Sequence, residues 1–252
     1  MAGRGWVMYS EPRFLPAGDQ ALVMELGDAI EESCSMAIRS LVESIRTEQV
    51  PGVRETIPSY RSILVLYDPM VSGFDEMVRT LANLFSRLDV HAAAKGDILV
   101  VPVLYGGEAG PDLTFVAEHA GMSEEEVIAL HASRDYLIYM LGFTPGFTYL
   151  GGMDERIATP RLERPRERIP AGSVGIAGKQ TGIYPIDSPG GWRLIGLTPM
   201  RLYDPHRDPP ILPSVGGYIR FRRIDGSEFS AIAGQVERGE YQPEVIRQGG
   251  AI

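Results

Sequence analysis

LGFTPGFTYLGG (Leu141–Gly152) and RIPAGSVGIAGKQTGIYPIDSPGGWRLIG (Arg168–Gly196) decide how this chain is read. They are continued by LTP (Leu197–Pro199) and RLYDPHRDPP (Arg201–Pro210). Glycine admits positive φ and close approach of other atoms, while proline fixes φ and removes a donor. Crowded together beside aromatics and hydroxyls, they build fixed loops whose backbone groups line a surface. Function is expected there. Around these blocks the helical period is absent. Tyr136–Leu141, Ser173–Ala177, Trp192–Leu197, Met200–Tyr203, Tyr218–Ile224 and Glu228–Ala233 read as short strands between Gly/Pro turns, with Asp225-Gly226 as a hairpin signal. Many short strands so punctuated point to a closed or nearly closed barrel.

Working towards the N-terminus, two short helices precede the strands. Pro111 to Ala120 opens with proline at a first-turn position. Ser123-Glu124-Glu125-Glu126 is a capping box that starts a helix to about Ala132. The first hundred residues have a different order. Gln20–Leu26 reads as a strand, and Asp28–Arg46 as a helix with Ile30, Cys34, Ala37, Ile38, Leu41 and Ile45 on one face. Val53–Pro58 and Arg61–Tyr67 are strands, Gly73–Leu88 is a second amphipathic helix, and Asp97–Leu104 is another strand. The order β-α-β-β-α-β is the split βαβ or ferredoxin-like arrangement, although the last strand can equally lead into the second domain. The fold class is therefore α+β. The expected division is a small α/β domain over 1–92, a barrel domain over 93–233, and a polar, partly disordered or helical tail over 234–252. His91–Lys95 is the candidate linker.

Composition removes several functions. A formal charge of −9 disfavours nucleic acid and anionic membrane, which require clustered Lys and Arg. The basic run Arg161–Arg168 is interleaved with Glu163 and Glu167 and reads as a solvated loop. With Cys34 the single cysteine, no intrachain disulfide forms, which fits a reducing compartment. No segment approaches the roughly 20 apolar residues of a membrane span, and Met1–Arg13 lacks a secretory apolar run, so a cytoplasmic protein is expected. Gly178-Lys179 is not a phosphate loop, because Ser173 and Gln180 stand where that motif needs Gly and Ser or Thr. His91, His119, His131 and His206 have no metal-binding spacing, and no metal site is expected in this chain.

Three patches remain as candidates. Pro145, Gly146, Phe147 and Tyr149 form a turn whose aromatics flank a flat or apolar ligand, or else merely close the barrel end. Gln180, Thr181, Gly182 and Tyr184 form a neutral cluster suited to an amide or lactam. Ser188 and Trp192 belong to DSPGGW, in which Trp192 by default anchors a core. Asp187 reads as a turn residue, Lys179 as a surface lysine, and His131 as a satisfied buried imidazole. No general acid or base is identified.

YMLGFTPGF (Tyr139–Phe147), PAGSVGIAG (Pro170–Gly178), QTGIYP (Gln180–Pro185) and SPGGW (Ser188–Trp192) resemble the family that includes the 5-oxoprolinase B subunit, the kinase A inhibitor of sporulation and allophanate hydrolase subunit 1. The similarity runs from about Leu15 to Phe221 and departs at Thr148, where the family usually carries Pro or Ala. It implies a cyclophilin-like barrel. It also implies one component of an ATP-dependent enzyme that opens 5-oxo-L-proline to L-glutamate. Such a component is inactive alone and works with two others, a carboxyltransferase-like C component and an A component. ATP and a divalent cation (Mg) would be bound by the complex rather than by this chain. The alternatives are a regulator of a sensor histidine kinase, or a subunit of an allophanate or urea amidolyase-type enzyme. Peptidyl-prolyl isomerisation rests on fold analogy alone.

Overall fold

The computed structural model describes residues 8–29, 32–88 and 96–248. Ile30 and the candidate linker His91–Lys95 lie outside them. The chain divides into two compact units, Met1–Ala94 and Lys95–Ile252.

The first unit contains β1 (Met8–Pro16), β2 (Ala21–Gly27), α1 (Glu32–Thr47), β3 (Val53–Pro58), β4 (Ser62–Tyr67) and α2 (Phe74–Ser86). Its sheet has the order β1-β2-β4-β3, antiparallel throughout. The ferredoxin-like layout is present with one substitution of strands. The edge place beside β2 is filled by β1, from the N-terminal side, and Asp97–Leu104 goes to the second unit. β2 and β4 alternate half-buried and buried residues, so Leu22, Met24, Ile63 and Val65 face one core. Ala37, Ile38 and Leu41 of α1 and Met77, Leu81 and Leu84 of α2 cover it at helical spacing. Cys34 is buried in this packing as a small apolar group.

The second unit begins with β5 (Ile98–Tyr105), α3 (Leu113–Ala120), α4 (Glu124–Ala132), β6 (Asp135–Leu141) and β7 (Thr148–Gly151). It continues through β8 (Arg166–Ile169), β9 (Ser173–Ala177), β10 (Gln180–Ile183), β11 (Ser188–Gly190) and β12 (Arg193–Leu197). It ends with β13 (Tyr218–Arg223), α5 (Gly226–Glu237) and β14 (Val245–Ile246). Seven strands close a barrel in the order β12-β9-β10-β7-β6-β13-β5, and the Gly196↔Tyr105 and Leu197↔Leu104 pairs complete the ring. The capping box at Ser123 is formed in full. Val101, Ile138, Leu150, Val174, Ile176, Ile183, Ile195 and Ile219 fill the interior. β9 is buried on both faces, because β8 and β11 form a separate two-stranded flap over an outer apolar cluster that contains Ala177 of β9 and Ile169 of β8.

Three sequence expectations are corrected here. Glu228–Ala233 is not a strand: the Asp225 carboxylate accepts from the Glu228 amide at 2.9 Å and caps α5. In place of a hairpin partner, β13 pairs in parallel with β5 (Tyr218↔Ile98 to Arg223↔Val103) and antiparallel with β6. Met200–Tyr203 forms only one isolated bridge, Tyr203↔Ile211, because the Arg207 guanidinium holds the carbonyls of Arg201, Leu202 and Pro210 in a loop. The segment expected as a separate tail is part of the barrel unit, with β14 pairing antiparallel to β5 at Val245↔Leu99.

Candidate functional site

Outside the barrel wall, aromatic rings gather around Phe147. Its centroid lies 5.1 Å from Tyr149, 5.4 Å from Tyr184 and 5.5 Å from Trp192, in edge-to-face arrangements. Phe143 meets it edge-on from the solvent side at 5.5 Å. These rings wall a cleft of about 340 Å³, completed by Arg161, Pro165, Pro189, Gly190 and Gly191.

Local chain geometry sets the rings. Between β6 and β7 the turn places Phe143 at φ +64° and Gly146 at φ +83°, closed by Phe147 N–H donating to the Thr144 carbonyl at 3.0 Å. Phe143 is 63% exposed, an unusual combination of left-handed backbone and bare aromatic ring. Trp192 rests on the bare backbone of Gly182: a Cβ there would lie 2.9 Å from the Thr148 carbonyl oxygen and 3.1 Å from the indole. The flap carrying Gly190 is anchored twice. Asp112 forms a two-pronged pair with Arg166 at 2.9 and 3.0 Å and accepts from the Leu194 amide at 2.7 Å. Asp187 accepts from the Ala171 amide and from Arg168, both at 2.8 Å. Those two contacts, the backbone one foremost, hold the Asp187 carboxyl below the usual carboxylate range.

Of the sequence-derived candidates, Phe147, Tyr149, Tyr184 and Trp192 line the cleft, and Gly182 supports Trp192. Pro145 is exposed at the turn tip, and Gly146 packs towards Tyr203 and Pro185. Gln180 is half-buried at the start of β10. Ser188 donates to the Ile186 carbonyl at 3.3 Å. Thr181 is on the opposite face, inside the barrel. The basic run is not a solvated loop throughout: Arg166 is clamped by Asp112, and Arg161 enters the cleft lining. Phe143, Arg161, Pro165 and the Asp112–Arg166 clamp were not among the sequence candidates. The Gly/Pro density marked the neighbourhood, but no residue pattern reports that a distant Asp meets an Arg. The Thr148 hydroxyl is buried without a hydrogen bond, so an apolar side chain of similar size would fit there at no polar cost.

Burial pushes the Tyr184 phenol up to about 12, so it remains a proton donor at neutral pH. His131 is fully enclosed between Tyr105 (Nδ1 to Oη, 2.8 Å) and Thr181 (Nε2 to Oγ1, 2.8 Å). Thr181 donates its one proton to the Gly175 carbonyl at 3.0 Å, so it accepts from Nε2–H, and Nδ1 accepts from Tyr105. Burial lowers this imidazole to about 3. The folded state therefore resists a proton that the unfolded chain takes up near pH 6.5. This stability is fully present above about 6.5 and is lost as pH falls from there towards 3, at about 1.4 kcal/mol per pH unit. In urea unfolding between pH 7 and 5, His131→Gln is expected to flatten that dependence relative to the parent. Equal slopes in the two proteins would remove His131 as its source.

Among the described residues, no three His, Cys, Asp or Glu side chains form a group able to hold a metal ion. Asp112 and Asp187, which anchor the flap, are committed to arginines and backbone amides. A magnesium–nucleotide site needs one or two free carboxylates beside the phosphates, and neither of these two is free. No described helix is long and apolar enough to cross a membrane.

The carboxyltransferase domain family, subdomains C and D, matches residues 12–213. The B subunit of the Bacillus subtilis 5-oxoprolinase is 42% identical over 224 residues, 85% of this chain and 93% of the relative. A conserved uncharacterized protein of Pyrococcus horikoshii, known as a crystal structure, is 48% identical with a TM-score of 0.53, covering 86% of this chain and all of the other. The K. lactis urea amidolyase shares the fold with a TM-score of 0.76 at 20% identity, over 93% of this chain and 16% of that protein. With the match spanning most of both units, the chain belongs to the carboxyltransferase-domain family, subdomains C and D.

Proposed function

We propose that this chain is the B subunit of an ATP-dependent 5-oxoprolinase, opening 5-oxo-L-proline to L-glutamate together with a carboxyltransferase-like C component and an A component. The observation that carries this reading is the kinship, over nearly full length on both sides, with proteins named as the B subunit of 5-oxoprolinase. The chemistry is consistent with a composite enzyme. A lactam is a stable amide, and activating its oxygen by phosphorylation demands a nucleotide and a divalent cation. The sequence carries no phosphate loop, and both are assigned to the assembled complex. The cleft contributes binding: aromatic walls suit a small flat ring, and Tyr184 supplies a neutral hydrogen-bond donor.

The test is ATP-dependent glutamate release from 5-oxo-L-proline by this chain co-expressed with its A and C partners. Glutamate that vanishes when this chain is left out supports an obligate role in the complex. Turnover by this chain alone, or undiminished release without it, overturns the reading.

A further inference from the structure

We infer that Arg161 makes this aromatic cleft a recognition site for a small flat ring bearing a carboxylate, namely a five-membered cyclic amide with its acid group attached. The inference rests on the 5-oxoprolinase reading and names the group that fixes the substrate. It follows from how the arginines around the cleft are used. Arg166 is taken by Asp112, Arg168 by Asp187 and Arg156 by Asp154. Arg193 lies over the Phe115 ring at 3.6 Å, with Asp112 at 4.0 Å. Arg161 and Arg164 make no ion pair or side-chain hydrogen bond among the described residues, although the chain carries an excess of acids, and of the two only Arg161 lines the cleft. Its charge reaches the Tyr184 phenol inside the cleft.

The lining contains no Asp or Glu, so nothing in the wall neutralises that charge. Aromatic faces alone also attract cations. A guanidinium at the rim reverses the preference, repelling cations and offering a carboxylate two parallel N–H donors. The volume, about 340 Å³, is at the small end for ligand clefts, which run from about 300 to 1,000 Å³ and so favour a single ring here over a nucleotide. With the carboxylate on Arg161 and the ring among Phe147, Tyr184 and Trp192, the Tyr184 hydroxyl is the donor available to the lactam oxygen.

The decisive experiment compares complexes containing parental chain, Arg161→Gln, Arg161→Lys, and Lys179→Ala as a surface control. Arg161→Gln is expected to raise KM for 5-oxo-L-proline by about tenfold or more, leaving kcat and the KM for ATP near parental values, with Arg161→Lys between. Lys179→Ala should match the parent. An unchanged KM in Arg161→Gln overturns the inference while leaving the 5-oxoprolinase reading intact. The full chain carrying Trp6→Phe provides a readout independent of turnover, because the protein has two tryptophans and Trp192 is then the sole emitter. Its emission should respond to 5-oxo-L-proline but not to 2-pyrrolidinone, which lacks the carboxylate, and Arg161→Gln should abolish the response. If the parental complex releases no glutamate, the 5-oxoprolinase reading fails. The titration then decides the site by itself: a carboxylate-dependent response supports it, and equal responses to both compounds, or none, overturn it.

Discussion

Gly182→Val is expected to cut glutamate release by the assembled complex about 100-fold or more, the penalty that displacement of a binding surface by an ångström can exact. The side chain would enter space already held by the Thr148 carbonyl and the Trp192 indole. Neither is the free end of a flexible chain. One is backbone in β7, and the other is packed against Phe147 at 5.5 Å. Trp192 must therefore leave its place, opening the cleft or collapsing it. Gly146→Val should act similarly through the turn, since it adds a β-branched side chain at φ +83° within 3.4 Å of Tyr203 and Pro185. Gly226→Ala, with nothing within 4 Å of its new methyl, serves as the control. Parental activity in both valine variants would remove these loops from the site. Parental Trp192 emission in Gly182→Val would show that the indole does not move.

Asp112→Ala is expected to lower the stability of the barrel unit by about 3 kcal/mol, near the low end for breaking a buried ion pair because Arg166 retains some contact with water. Two losses combine in this variant. The Arg166 guanidinium keeps its charge without its acid, and the Leu194 amide loses its carboxylate acceptor. The backbone bond from the Asp112 amide to the Leu194 carbonyl, 2.8 Å, is independent of the side chain and should persist. Chemical denaturation measures the effect. Combining Asp112→Ala with Arg166→Met should cost less than the two single changes added together, because the stranded charge is gone. Strict additivity, or a loss under about 0.5 kcal/mol of the kind seen for exposed pairs, would refute the clamp.

Most of the architecture was legible because the pattern and the packing agree. Alternation in Ser62–Tyr67 and helical spacing in Phe74–Ser86 each describe one buried face, and both elements formed as read. The failures have local causes. β1 carries Pro12 and several polar residues, which mask a strand; proline is tolerated there because β1 is at the sheet edge. Asp225-Gly226 carries two signals at once, a hairpin turn and a helix cap, and pairing of β13 with β5, distant in sequence, selected the cap. For the candidate site, glycine density pointed to the surface that carries the aromatic cleft but not to the sidedness of β10. Thr181 faces His131 while Gly182 faces Trp192, an alternation that depends on register. Arg161 was lost in a run of mixed charge, since a sequence cannot say which arginine in such a run lines a cleft.

The strand that completes the first sheet also orders events during synthesis. Every element of that sheet and both its helices lie between Met8 and Ser86, so all its hydrogen-bonding partners are made early. β5, with sequence ILVVPVLY, is translated next and has no such local partner. Its neighbours are β12, β13 and β14, which begin at Arg193, Tyr218 and Val245. Until those later strands have been made, this apolar segment has both edges open, which makes it a stretch of the nascent chain with much to gain from a chaperone.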